Sequence, residues 1–151
     1  MLISGISGGI ATIVQMVISW SLYLLGIVNL NPSIFHARLM TNRMNVNSSE
    51  IVLGMIGNFV AGLVFAFLII VLLKLTGTDY ALLKGGIMGI INAMIQYYLL
   101  TRLFTHDPTI LIPNTITIWH VYIVYCIWGL IVAYIATRYC SVKVSRHLDS
   151  R

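Results

Sequence analysis

Few residues in this chain are of a type and spacing that could do chemistry, and the most regular of them are amides rather than acids or bases. Gly85, Gly89, Asn92 and Gln96 stand four, three and four residues apart. On an α-helix that spacing aligns them on one face, while Ile87, Ile90, Ile91 and Met94 cover the others. Gly8, Thr12, Gln15 and Ser19 repeat the stripe 77 residues earlier, position for position. Asn58 adds a third helix to the polar set. Amides at bilayer depth seek partners because lipid offers none. Gln15, Ser19, Asn58, Asn92 and Gln96 therefore read either as an interhelical stripe that fixes a bundle or as a polar pathway for a small solute.

Other chemistries fit less well. His36, His106, Asp107 and His120 fall near the same ends of their segments, and together they could ligate a transition metal, although none shows helical His-x-x-x-His spacing. Glu50, Asp79, Asp107 and Asp149 are scattered, so paired-carboxylate catalysis finds no support. Ser7-Gly8-Gly9 and Lys84-Gly85-Gly86 lack the spacing of nucleotide loops and suit helix packing. Cys126 and Cys140 lie fourteen residues apart, about 21 Å along one helix and beyond disulfide reach. No cofactor is expected, and the reading leans away from an enzyme.

The elements that must hold these residues are set by composition. Of 151 residues, 59% are hydrophobic and 9% charged, with a mean hydropathy of +0.94. A soluble domain carries about 25% charged residues, so lipid is the solvent for most of this surface. Four stretches are long enough for the roughly 20 residues that cross a bilayer. They run about 3–30, 51–75, 80–104 and 115–139, in one polytopic domain that spans 1–151, with 140–151 as a basic tail. The expected fold is an all-α membrane protein, a four-helix transmembrane bundle built as a 2+2 parallel repeat. A second matched block, Gly62-Leu-Val-Phe-Ala-Phe67 against Gly129-Leu-Ile-Val-Ala-Tyr134, recurs at an offset of 67.

Asn31-Pro32 ends the first span, because proline cannot continue a helix. Ser33–Met40 then reads as a short helix in the membrane interface, capped by Ser33. Ser48-Ser49-Glu50 starts the second span, and its run from Val64 to Leu73 is expected to face lipid. Gly77 turns the chain, and Asp79 is placed to cap the third span. Trp119 and Tyr122 suit one interface belt and Tyr139 the other.

With four spans the termini share a side. That side holds Lys74, Lys84, Arg138, Lys143, Arg146 and Arg151; the other holds Arg38, Arg43 and Arg102. The positive-inside rule then puts both termini in the cytoplasm. Arg138, Lys143 and Arg146 are headgroup anchors on anionic lipid, too few for nucleic acid.

Gly8-Gly9-Ile10-Ala11, the Asn31-Pro32 exit and the aromatic last span resemble small bacterial inner-membrane proteins of the YqhR and YagU types. The resemblance implies a four-helix protein of the bacterial inner membrane without an assigned activity. Small residues at Gly5/Gly9, Gly8, Gly54/Gly57/Ala61 and Gly85/Gly89 outnumber what one bundle needs. Besides the lipid bilayer, the expected partners are therefore other membrane helices. The leading expectation is a non-enzymatic accessory subunit or homo-oligomer. The alternative is a transporter or channel for a neutral or lipid-like solute along the polar stripe, with a metal-dependent membrane enzyme third.

Overall fold

The computed structural model describes residues 2–104 and 113–148, with side chains through 139. Every regular element among them is helical. Four helices are long and apolar enough to cross a membrane, and they cover Leu2–Leu24, Ser48–Thr76, Ala81–Phe104 and Thr115–Tyr139. They pack as a bundle, so the chain is an all-α, multi-pass membrane protein. We name the helices α1 (Leu2–Leu24), α2 (Pro32–Thr41), α3 (Ser48–Thr76), α4 (Ala81–Phe104) and α5 (Thr115–Leu148). The last continues past the end of its span at Tyr139, so the basic segment from 140 to 148 extends the same helix.

The helix ends follow local chemistry, not always the chemistry expected. The first span stops at Leu24, six residues before Leu30. Gly26 takes φ +71°, which an L side chain rarely adopts, and the amide of Ile27 turns back to the carbonyl of Leu22 at 3.1 Å. Asn31, not Ser33, caps α2. Its side chain accepts from the Ile34 amide at 2.8 Å, and Pro32 fills the first turn, where its missing N–H costs nothing. Asn47 caps α3 in a box with Glu50. Asp79 makes no cap for α4: the cap position is Tyr80, in the left-handed conformation with no side-chain bond. Lys84 closes that turn instead, donating to the carbonyls of Thr76 and Gly77 at 3.1 and 2.9 Å.

Small residues decide which helices touch. A side-chain carbon on Gly8 would run into Ala66, with Gly62 close behind, so α1 seats on α3. One on Gly85 would run into Ala133 and Gly129, so α4 seats on α5. These are corresponding positions under the offsets of 77 and 67. Gly89 meets the backbone of Tyr125 in the same seam. Gly54 meets Ser33 and Ala37, which docks α2 onto α3. Helix α2 is therefore not an amphipathic helix floating in the interface. Pro32 to Ala37 are buried, and Phe35 stacks on Tyr97 of α4 with ring centroids 4.0 Å apart. Part of the expected lipid face of α3 is also core, since Ala66, Ile69, Ile70 and Leu73 pack on Trp128, Val132 and Ala133.

Three layers result. An apolar layer occupies the end that carries the termini. A layer of Leu30, Ile34 and Phe35 with Trp20, Tyr23 and Tyr97 occupies the α2 end. The polar residues lie between.

Candidate functional site: a buried amide node

The middle layer joins all four long helices around one phenol. Tyr125 of α5 donates its hydroxyl to Gln96 Oε1 of α4 at 2.8 Å, with Asn58 Oδ1 of α3 a longer 3.4 Å away. Gln96 Nε2 in turn donates to Asn92 Oδ1, one turn back on α4. Gln15 of α1 lies against the same phenol, with its Nε2 outside hydrogen-bond reach of any partner. Gln15, Asn58, Asn92 and Gln96 are each no more than 3% exposed. Helix periodicity explains why residues so far apart in sequence meet: each is the polar member of a face whose small members draw the neighbouring helix close.

The geometry of α4 is special at this point. From Ile95 to Leu100 the helix widens to a π-turn, a form that is rare and tends to mark functional positions. Gln96 and Tyr97 are both on it. Tyr97 meets Tyr125 edge-on at 6.2 Å, and its hydroxyl is buried without a partner.

The node is unevenly satisfied. The amide oxygens of Gln96 and Asn92 accept, with Asn58 Oδ1 at longer range from the same phenol proton, whereas Gln15 Nε2, Asn58 Nδ2 and Asn92 Nδ2 are buried with no hydrogen bond. An unmet buried donor costs on the order of 1–3 kcal/mol. Three such amide donors make a site short of acceptors.

No family model, curated protein or solved structure matches this chain.

The remaining expected residues sit elsewhere. Ser19 is buried one turn above Gln15, with its Oγ 3.3 Å from His120 Nε2. Gly8, Gly54, Gly85 and Gly89 lie in helix seams, and Ala61 lines a groove beside α2. His36 is on α2 with Nδ1 2.7 Å from the Pro32 carbonyl. His36 and His120 thus have separate partners on separate elements. His106 and Asp107 lie outside the described residues. Among the described residues no three His, Cys, Asp or Glu side chains group as metal ligands. Arg138 stacks over Tyr134 at 5.4 Å, and Lys143 and Arg146 lie beyond the described side chains.

Sequence reasoning placed the amides on the right faces but missed Tyr125, which reads as one more aromatic in a belt-rich helix. A signal was present: Tyr125 corresponds to Asn58 at the offset of 67. It also missed Trp128, which donates Nε1 to Thr12 Oγ1 at 3.1 Å and ties α5 to α1. The bond from Thr117 Oγ1 to Asn29 Oδ1, 2.7 Å, was missed as well.

Proposed function

We propose that this chain is a non-enzymatic membrane protein that binds and passes a small, uncharged, acceptor-bearing solute at the amide node. The observation that carries the reading is the set of three buried amide nitrogens without acceptors around Tyr125. Donors of this kind suit water, a carbonyl or an ether oxygen. A full negative charge suits them less. The hydrogen-bonded residues of the node carry no formal charge, and an unpaired ion taken out of water is costly. The node is fed by both halves of the chain, and we read those halves as a parallel duplication, α1/α3 and α4/α5, related by an axis along the membrane normal. The equivalent contacts of Gly8 and Gly85 support that reading. In keeping with the resemblance above, the protein is assigned to a bacterial inner membrane, with both termini in the cytoplasm and α2 outside.

The test is solute flux into vesicles that hold the purified protein, followed by light scattering with water, glycerol and urea as probes. The expected result is flux above that of empty vesicles. It should be lost in Asn92→Leu and Gln96→Leu proteins that stay monodisperse. Flux equal to empty vesicles for all three probes, or unchanged in both variants, overturns the reading. Weight then passes to the accessory subunit or homo-oligomer. That second reading is favoured by Gly5, which has no neighbour within 4 Å and leaves a small face of α1 open. It is tested by the mass of the assembly released gently from its own membrane.

A further inference from the structure

A second site lies away from the node, and it does not rest on the solute reading. Between α2, α3 and the far end of α4 is a groove of about 710 Å³, within the range of roughly 300–1,000 Å³ that holds one ligand of modest size. Leu53, Ile56 and Val60 of α3, Met40 of α2 and Phe104 of α4 line it, and all are substantially exposed on the lipid-facing surface. Gly57 and Ala61 contribute small residues to the same lining. Among the described residues two polar ones border it, His36 and Asn42.

His36 defines what the groove recognises. A carbonyl can only accept, so the 2.7 Å contact with Pro32 O requires the proton on Nδ1. In the neutral ring Nε2 is then an acceptor, and it is buried with no donor to meet it. The side chain is 4% exposed. Burial also holds the imidazole below its ordinary pKa, against a smaller upward effect from the Pro32 hydrogen bond, which keeps the ring neutral. Nε2 is covered in this structure, so a donor on an apolar molecule in the groove reaches it only once the wall beside it moves. A hydroxyl supplies that donor without a charge to balance.

We infer that the groove binds a hydroxyl-headed lipid, such as a monoacylglycerol or long-chain alcohol, with its chain beside Gly57 and Ala61 and its hydroxyl donating to His36 Nε2. Met40 is the movable cover. It lies against Gly57 beside His36, it is half exposed, and its unbranched side chain changes rotamer readily. In a bilayer the chain gains little by leaving other lipid chains, so selectivity falls on the single hydroxyl bond.

The experiment is native mass spectrometry of the full chain with monoolein and with methyl oleate, which has the same chain and no hydroxyl. The wild type should retain monoolein about fivefold better, the effect of one ordinary hydrogen bond. His36→Phe should erase the preference while leaving methyl oleate retention unchanged. His36→Gln, which restores an acceptor oxygen, should recover part of it. Ala61→Phe, which fills the groove and leaves His36 intact, should lower retention of both lipids. Equal retention by the wild type overturns the inference, as does a preference that survives in His36→Phe. If that variant does not fold, undiminished monoolein retention in Ala61→Phe overturns it instead.

Discussion

At the scale of single residues, the protein is organised by what each buried polar atom has to meet. Tyr125 has one proton and two amide oxygens near it, and the shorter contact is to Gln96. A double-mutant cycle on Tyr125→Phe and Gln96→Leu, read by thermal unfolding in detergent, should give a coupling of about 0.6 kcal/mol, the average for hydrogen bonds between membrane helices, and no more than about 1.7 kcal/mol. A coupling of zero would place the two side chains apart. His36 supplies a pH prediction. Its folded pKa is lowered by burial, so the unfolded chain takes up the proton first. Its contribution to stability is therefore complete above about pH 6.5 and is lost progressively as pH falls below it. Melting temperature should drop from pH 7 to pH 5 more steeply in the wild type than in His36→Phe. Parallel curves would show that His36 is solvated.

At the scale of elements, glycines at helix seams separate into those that cannot change and those that can. A Cβ on Gly129 would strike the Gly85 carbonyl, and one on Gly89 would strike the Tyr125 carbonyl, backbone atoms with no rotamer to retreat into. Gly129→Val should therefore force α4 off α5 and cost at least the roughly 1–3 kcal/mol of an overpacked core. It should show as aggregation or as loss of the folded species in size-exclusion chromatography. Gly9→Ala and Gly86→Ala meet only side-chain atoms, at 3.7 Å and at 3.4 Å or more, and should elute as the wild type does. The seams were legible in advance because small residues at intervals of four have few other uses on an apolar helix. The seat of α2 was not. Its burial depends on Phe35 meeting Tyr97 and on Gly54 admitting Ser33 and Ala37, and no local pattern encodes contacts between segments so far apart. The π-turn was hidden for the same reason. It redirects Gln96 and Tyr97 without a proline or glycine to announce it.

At the scale of the whole molecule, the four spans and the polar stripe were legible because hydropathy and period are local properties. Helix ends such as Leu24 were less so, since Ile27, Val28 and Leu30 continue an apolar run after the helix has stopped. The proposed sidedness rests on the uneven distribution of Lys and Arg. A single-cysteine series on a Cys126→Ala, Cys140→Ala background checks it. Asn45→Cys should react with a membrane-impermeant maleimide added to intact cells, and Ser150→Cys only after the cells are opened. The reverse pattern would invert the topology and put the α2 groove on the cytoplasmic face.

The contacts at the α2 end also set an order in time. Phe35 waits for Tyr97, and Asn29 waits for Thr117, 88 residues further along the chain. Synthesis at roughly 5–20 residues per second makes that last delay roughly 4–18 s. Until Tyr97 arrives α2 has only α3 to hold it, and until Thr117 arrives the α2 end lacks its tie to α5. The final helix is thus the latch as well as the last wall: a nascent chain stopped before Thr117 has its first three spans but not its closed end.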